Sequence, residues 1–206
     1  MTIEREVKLV APPAFALPDL TVAADGRPVA ALPLQRLNAT YYDTADLRLV
    51  RWGVTLRYRT GEDGGAVWTV KLPAAASGIG LARRELNFKG RSNAVPPEVL
   101  ALLRGYVRHA LLAPVAKLAT RRSRVEVRDG DGHALLEVAD DVVSVLDGRQ
   151  VAARFREVEV EVRDDSVDES LLRAVVDRLR EAGAAPGDST PKVVWALGAR
   201  SAAPPE

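Results

Sequence analysis

The stretch IEREVKLV at residues 3–10 alternates in character from one residue to the next. Alternate side chains of a β-strand point to the same face of the sheet. Glu4, Glu6 and Lys8 therefore share one face of a predicted strand, while the opposite face carries mostly apolar side chains. The stretch predicts a strand that buries one face and presents two carboxylates and one ammonium group on the other.

The same two-residue alternation recurs in seven further segments along the chain. The eight predicted strands span residues 3–10, 37–42, 54–59, 66–72, 81–88, 117–128, 134–145 and 153–162. Glycine-rich stretches at residues 61–65, 129–132 and 147–148 separate neighbouring strands and predict hairpin turns. The chain is therefore predicted to be built mainly of antiparallel strands.

Four segments depart from this alternation. Residues 12–33 contain several prolines and glycines and are predicted to form a loop with at most a short helix. Proline followed by helical apolar spacing predicts a helix over residues 97–105. A second helix is predicted over residues 168–182, with Asp168 as its cap and a glycine after its end. Residues 199–206 are rich in alanine and proline and are predicted to be disordered.

The charged faces of the predicted strands are segregated by sign. One strand places Glu157, Glu159 and Glu161 on a single face, and another places Arg57 and Arg59 together. For any one strand, a solvated face of an antiparallel sheet explains such a run. Like charges at alternate positions repel each other, and the repetition of this cost along several strands favours a shared ligand. Divalent cations would neutralise the acidic faces, and an anion with many oxygens would neutralise the basic ones.

A closed barrel would bring the charged faces of these strands together around one interior. About eight antiparallel strands can close with alternate residues pointing inward, leaving room for a small ligand. We therefore predict an α+β fold, an eight-stranded antiparallel β-barrel with a polar lumen, flanked by a few helices that cover its apolar outer wall. By the same alternation Asp140 is expected on the exposed side. Whether Arg83, Arg84 and Arg121 point into the lumen or outward depends on the exact register of their strands.

Composition excludes several classes of site. Lysine and arginine number 29 against 28 aspartate and glutamate, which gives no general attraction to nucleic acid. Without cysteine the chain has no disulfides or thiolate ligands, and two histidines make a histidine-rich metal site improbable. The charged start does not resemble a secretory signal, and no apolar run approaches the roughly 20 residues that span a bilayer. We expect a soluble cytoplasmic protein without membrane or nucleic-acid partners.

In order and spacing, the charged motifs resemble those of the CYTH family, also called triphosphate tunnel metalloenzymes, over residues 1–199. The matching motifs are Glu4-x-Glu6-x-Lys8, Tyr41-Tyr42-Asp43-Thr44, Leu56-Arg57-Tyr58-Arg59, Trp68-Thr69-Val70-Lys71-Leu72-Pro73, Arg83-x-Glu85, Thr120 with Arg122 and Arg124, Glu137-x-Ala139-x-Asp141, Glu157-x-Glu159-x-Glu161, and Lys192. Two positions depart from the family pattern. Pro191 precedes the lysine where serine is common, and Asn87 replaces a third charged residue.

The resemblance implies one tunnel domain at residues 1–199, with a disordered tail at 200–206. It implies that Mg²⁺ or Mn²⁺ binds to carboxylates of Glu4, Glu6, Asp141, Glu157, Glu159 and Glu161. It implies that phosphates bind to Lys8, Arg57, Arg59, Lys71, Arg83, Arg122, Arg124 and Lys192. The same resemblance assigns catalytic roles to Glu4, Glu6, Lys8 and Lys71. The aromatic residues Tyr41, Tyr42, Trp52, Trp68 and Trp195 are expected to serve packing.

The leading functional hypothesis is metal-dependent hydrolysis of inorganic triphosphate or a related triphosphate compound. The alternative is a module that binds polyphosphate or triphosphate with little turnover. Thiamine triphosphatase and class IV-type adenylate cyclase are less favoured, the cyclase because the sequence shows no clear adenine pocket. The resemblance is to the version of the family that is fused to a C-terminal CHAD domain. The alanine- and proline-rich end is therefore either a linker to such a domain in a longer protein or the natural terminus, and both alternatives stay open. The oligomeric state stays open, with a homodimer as one option.

Overall fold

The computed structural model describes residues 2–62, 65–74, 81–164, 166–187 and 190–202. The strands are β1 Thr2–Val10, β2 Val29–Asp43, β3 Thr55–Glu62, β4 Gly65–Pro73, β5 Leu81–Phe88, β6 Ala113–Arg128, β7 Ala134–Asp147, β8 Gln150–Val162 and the two-residue β9 Ala185–Pro186. The helices are α1 Arg48–Arg51, α2 Pro97–Val107, α3 Glu169–Glu181, α4 Lys192–Leu197 and α5 Ala199–Ala202.

Eight of these strands close into a barrel. The sheet runs β5-β4-β3-β2-β6-β7-β8-β1, and β1 pairs back with β5, so that no free edge is left between them. Each pairing is antiparallel, and β9 adds a short pairing to β1. The predicted fold class is confirmed, including the flanking helices.

Strands β2 and β6 begin several residues before their predicted starts. β2 begins at Val29, so the predicted loop over residues 12–33 is wrong at its end. The alternation is hidden there because the pairing with β6 shifts register between Leu32 and Gln35. Pro33 lies within this irregularity, where its missing N–H costs no ladder hydrogen bond. β6 likewise begins at Ala113 rather than at residue 117.

The two longer helices are confirmed. The side chain of Asp168 accepts a hydrogen bond from the Ser170 backbone N–H at 3.0 Å, as expected of a cap. Gly183 follows the end of α3 with φ +104°, a conformation that suits glycine. The short helices α1, α4 and α5 were not predicted. Helix α5 covers residues 199–202, and the rest of the predicted tail, 203–206, lies outside the described residues.

The hydrophobic core lies mainly outside the barrel. Helix α3 and the segment after β1 pack on the outer faces of β6, β7 and β8, where Leu172, Leu179 and Val160 are almost fully buried. Helices α1 and α2 pack on the outer faces of β3 and β4 around Trp68. Because each large buried side chain contributes about 1.5–3 kcal/mol, this outer packing can stabilise a barrel whose interior is polar.

Asp140 corrects one prediction. It faces the outer wall as its position in the strand requires, but it is buried rather than exposed. The Arg156 guanidinium donates to both of its carboxylate oxygens at 2.8 and 2.7 Å, donates to the Pro13 carbonyl at 3.0 Å, and lies over the ring of Phe15. The pair therefore attaches the segment after β1 to the barrel wall.

The tryptophans divide between core and surface. Trp68 is fully buried, packs against Tyr42 and Tyr58, and donates its indole N–H to the Arg91 carbonyl at 3.1 Å. Trp52 and Trp195 are 66% and 49% exposed, so they are not core residues. The ring of Trp52 nevertheless lies edge-on to Tyr106 of α2, and the ring of Trp195 in α4 stacks on Phe155, as expected of residues that dock helices. Crossing a bilayer takes a longer and more apolar helix than any that the described residues form.

Candidate functional site

The lumen of the barrel holds a polar cavity of about 350 Å³. Its lining includes nine cationic residues, Lys8, Arg57, Arg59, Lys71, Arg83, Arg122, Arg124, Arg163 and Lys192. It also includes six acidic residues, Glu4, Glu6, Glu85, Glu137, Glu159 and Glu161. Every predicted phosphate-binding residue and four of the six predicted metal ligands therefore line one cavity. The other two predicted metal ligands, Asp141 and Glu157, are buried in the barrel wall beside it.

Strand register explains why these side chains meet. Glu6 lies opposite Glu161, and Lys8 lies opposite Glu159, in the pairing of β1 with β8. The alternation also resolves two ambiguous positions. Arg83 is 7% exposed and lines the cavity while Arg84 is exposed, and Arg122 points inward while Arg121 is exposed.

The sequence reasoning missed several lining residues. Glu85 and Glu137 share strand faces with predicted site residues, so the alternation alone would have found them. Arg163 lies one residue past the end of β8 but continues its inward face. Gln35 fell between the predicted loop over residues 12–33 and the predicted strand that begins at residue 37. Tyr41 was expected to serve packing only, yet it also lines the cavity.

Three carboxylates converge beside the cavity. Oxygens of Asp141, Glu157 and Glu159 lie within 4.8 Å of one another, and we call these residues the acidic triad. Like charges about 5 Å apart repel by about 3 kcal/mol per pair at an effective dielectric constant near 20, so such a triad needs cations.

Lys192 supplies one of those cations from the first residue of α4. Its ammonium nitrogen lies 3.1 Å from Asp141 Oδ2 and 2.9 Å from Glu159 Oε1, and it also contacts Glu157 Oε1. Arg122 donates to both oxygens of Asp141 at 2.7 Å and to Glu159 at 2.9 Å. Lys8 lies 2.9 Å from Glu159. Three cations therefore match three carboxylates.

The pKa values follow from this arrangement. Burial acts to raise the pKa of Glu159, but Lys192, Lys8 and Arg122 outweigh it and hold that pKa well below its usual range. Burial also acts to raise the pKa of Asp141, but Arg122 and Lys192 outweigh it and lower that pKa. Glu157 differs, because burial raises its pKa against the attraction of Lys192, and the nearby Glu159 adds to the rise. Burial opposes the charge of Lys192, but its carboxylate partners raise its pKa well above the ordinary value. Asp141, Glu159 and Lys192 are therefore ionised.

Glu4, Glu6 and Glu161 form a second acidic group, with a different environment. Glu6 Oε1 is buried and has no hydrogen-bond partner among the described residues, and Lys8 Nζ lies 3.5 Å away. Burial raises the pKa of Glu6, and the nearby Glu159 adds to this. Burial also raises the pKa of Glu161 to about 7, against the ion pair that it makes with Arg163 at 2.7 Å. These carboxylates are less fully neutralised than the acidic triad.

Lys71 on β4 links Glu4 of this second group to Glu85 on the neighbouring strand β5. Its ammonium nitrogen lies 2.5 Å from Glu4 Oε2 and 3.2 Å from Glu85 Oε2. Burial acts to raise the pKa of Glu85, but Lys71 and Arg57 lower it to about 2. Lys71 is therefore held between two carboxylates at the boundary of the acidic and basic walls.

The basic wall is formed by arginines on β3, β5 and β6. Arg57 is 8% exposed, and its Nε has no hydrogen-bond partner among the described residues. Burial would raise the pKa of Tyr41, but the adjacent Arg57 and Lys192 lower it. Guanidinium groups bind phosphate oxygens through paired N–H donors, so this wall has the chemistry of an anion site.

Helix α4 closes one end of the lumen. Val193 and Leu197 pack with Leu118 and Val143, which lie on inward-facing positions of β6 and β7 beyond the charged rows. The polar lumen therefore ends in an apolar plug. This helix was not predicted because a segment of only six residues is too short to show a helical pattern.

A separate cluster lies outside the cavity lining. Asp129, Asp131 and His133 come close together in the exposed turn between β6 and β7. Asp129 Oδ1 accepts backbone N–H bonds from Asp131 at 2.9 Å and from His133 at 2.8 Å. These bonds account for the cluster as turn structure.

Comparison with known proteins agrees with this geometry. Residues 2–194 match the CYTH domain family model. Uncharacterized proteins from two strains of Mycobacterium tuberculosis, CDC 1551 / Oshkosh and ATCC 25618 / H37Rv, are each 35% identical over 182 residues. That alignment covers 82% of this chain and 35% of each relative, so the chain spans about a third of their length.

Solved structures share the fold at low identity. A Bacillus halodurans protein with a provisional adenylate cyclase name superposes with a TM-score of 0.63 at 17% identity, covering 94% of this chain and 97% of that one. HpAC1 from Hippeastrum superposes with a TM-score of 0.53 at 17% identity, covering 93% and 94% of the two chains. PH1819 from Pyrococcus horikoshii OT3 superposes with a TM-score of 0.52 at 18% identity, covering 93% of this chain and 98% of that one.

Proposed function

This chain belongs to the CYTH domain family, and from that membership and the charges in its lumen we propose that it is a metal-dependent triphosphatase that hydrolyses inorganic triphosphate. The observation that carries the proposal is the division of one cavity into a basic wall and an under-neutralised acidic group. The acidic group includes Glu161 with its raised pKa and Glu6, whose Oε1 accepts no hydrogen bond from the part of the chain that the structure describes. The basic wall includes Arg57, whose Nε likewise donates to none of the described residues.

The basic wall suits an anion with several phosphates. Nine lining cations stand against eight carboxylates, the six of the lining and the buried Asp141 and Glu157, so the positive excess is small. A metal ion at the acidic group would add to this excess, and a multiply charged anion would neutralise it. The cavity of about 350 Å³ lies within the usual range for small-molecule sites. Arg57, Arg83 and Arg124 would each bind phosphate oxygens and fix the chain in the lumen.

The acidic group fits a hard divalent cation. Glu4, Glu6 and Glu161 offer only oxygen donors, and Glu6 Oε1 has no hydrogen-bond partner among the described residues, which supports a cation there. Oxygen-only sites suit Mg²⁺ or Mn²⁺. When bound, such an ion supplies charge neutralisation of phosphate oxygens and lowers the pKa of a coordinated water.

The residues of the chain supply positioning and electrostatic stabilisation. Lys8 and Lys71, each held between carboxylates, would stabilise negative charge on the transferred and leaving phosphates without moving to do so. The catalytic set of the proposal is therefore Glu4, Glu6, Lys8 and Lys71. The plug formed by α4 keeps bulk water from one end of the lumen.

Hydrolysis is favoured over cyclisation by the composition of the lining. All but a few lining residues are charged, and such a lining offers little apolar surface on which a base would stack. The structural relative HpAC1 carries an adenylyl cyclase name together with a dominant triphosphatase activity, which supports testing hydrolysis first.

A substrate panel tests the proposal. Purified chain is incubated with Mg²⁺ or Mn²⁺ and, in parallel, with inorganic triphosphate, thiamine triphosphate, ATP and long-chain polyphosphate, and released phosphate and cyclic AMP are measured. We expect the highest phosphate release from inorganic triphosphate. Tight calorimetric binding of long polyphosphate without release from any substrate would instead support a binding module, and cyclic AMP from ATP would support a cyclase.

A further inference from the structure

Lys192 lies where a metal ion would be expected. The acidic triad of Asp141, Glu157 and Glu159 has the donor type and the convergence of a divalent cation site. The ammonium group of Lys192 contacts all three carboxylates and so occupies the point on which they converge. We propose that Lys192 is a built-in cation that excludes divalent metal from the acidic triad, so that the lumen takes its metal only at the group formed by Glu4, Glu6 and Glu161.

Charge matching is the first argument. Lys192, Arg122 and Lys8 contribute three positive charges to the three negative charges of the triad. Arg122 already binds both oxygens of Asp141, and Lys8 already binds Glu159. A divalent ion added to this set would leave an excess of two positive charges in a buried place, which is costly.

The cost of displacing Lys192 is the second argument. The side chain is anchored by the helix that it begins, since Val193 and Leu197 are buried in the apolar plug. Moving the ammonium out of the triad would either place it nearer other cations of the lumen or pull the apolar residues of α4 away from the barrel. Exchange of lysine for metal is therefore disfavoured, and exclusion is the expected behaviour.

The contrast between the two acidic groups is the third argument. One ammonium group, that of Lys192, contacts all three carboxylates of the triad. In the second group, Glu4, Glu6 and Glu161 each pair with a different cation, Lys71, Lys8 and Arg163 respectively. A metal ion at the triad would have to displace the shared cation, whereas at the second group it would take a position that these pairs do not fill.

Metal counting without substrate tests the inference. Mn²⁺ binding is titrated by calorimetry and by the electron paramagnetic resonance signal of the free ion. The variants are Lys192→Met, which keeps the length and removes the charge, and Lys192→Arg, which keeps the charge as a matched control. We expect Lys192→Met to bind one more Mn²⁺ per chain than the wild type, and we expect Lys192→Arg to bind the same number as the wild type.

A second substitution locates the added ion. Asp141→Asn in the Lys192→Met background should remove the extra Mn²⁺, whereas Asp141→Asn alone should leave the wild-type number unchanged. The inference is overturned if Lys192→Met gains no ion, or if the wild type loses one on Asp141→Asn or Glu157→Gln. The wild-type comparison decides the matter even if Lys192→Met fails to fold. Because no substrate is present, these outcomes do not depend on whether the chain hydrolyses triphosphate.

Discussion

Glu6 on β1 and Glu161 on β8 lie directly opposite each other in the barrel register, with both side chains lining the lumen. Glu137 on β7 lies opposite Glu161 on its other side and extends the row to three carboxylates. Burial raises the pKa of both Glu6 and Glu161. A row of buried acids that are costly to ionise alone is the physical basis for placing a cation there.

Glu161 should make stability depend on pH in the metal-free protein. Its pKa rises from 4.5 to about 7 on folding, so the folded state retains a proton that the unfolded state loses between these values. Its contribution to stability therefore falls as pH rises from about 4.5 to about 7. Glu161→Gln should stabilise the protein by on the order of 2 kcal/mol more at pH 8 than at pH 5. Urea unfolding in chelator measures the difference, with the exposed Glu98→Gln as control; an equal effect at both pH values contradicts the assignment.

Arg83 and Arg84 form a matched pair for the phosphate wall. They are adjacent in β5, but only Arg83 lines the cavity, whereas Arg84 faces solvent. Hydrogen bonds to charged groups contribute about 1.5–3 kcal/mol, so Arg83→Ala should lower kcat/KM for triphosphate by about 10- to 150-fold. Arg84→Ala should stay within about twofold of the wild type. Steady-state phosphate release measures both, and equal losses would show that the inward register does not decide function.

Asp140 should matter for stability and not for the chemistry. Its carboxylate accepts two hydrogen bonds from Arg156 on the outer wall, opposite in direction to the lumen-facing Asp141. Asp140→Asn should cost about 1.5–3 kcal/mol of unfolding free energy because it weakens a buried charge-assisted pair. The exposed Asp177→Asn should change stability by less than about 0.5 kcal/mol. Chemical denaturation measures the cost, and an unchanged midpoint for Asp140→Asn would show that the pair does not hold the wall together.

Much of the lumen could be predicted from alternation alone. Glu4, Glu6 and Lys8 were assigned to one face because a strand places every second residue on the same side, and the closed barrel turns that face inward. The same rule applied to Arg57 and Arg59 on β3. In these strands the direction of each side chain follows from its position within the strand, so it can be predicted from the sequence without knowledge of distant contacts.

The remainder depends on contacts between distant parts of the chain. The ion pair between Lys192 and Asp141 was not predicted, because nothing local shows that a short helix brings the one onto the other. Asp140 was predicted to be exposed because its partner Arg156 lies on a neighbouring strand. The start of β2 was missed because Pro33 and the register shift beside it interrupt the alternation.

Glu4→Gln provides the most direct test of metal-dependent hydrolysis in the lumen. The substitution keeps the shape of a side chain that contacts Lys71 but removes the charge that a metal ion needs. Phosphate release from inorganic triphosphate is measured for the wild type, Glu4→Gln and the exposed Glu98→Gln, with Mg²⁺ or Mn²⁺ and with chelator. We predict release by the wild type and Glu98→Gln only when metal is present, and a loss on the order of 100-fold or more in Glu4→Gln. Release that persists in chelator, or a folded Glu4→Gln protein as active as the wild type, would contradict the account.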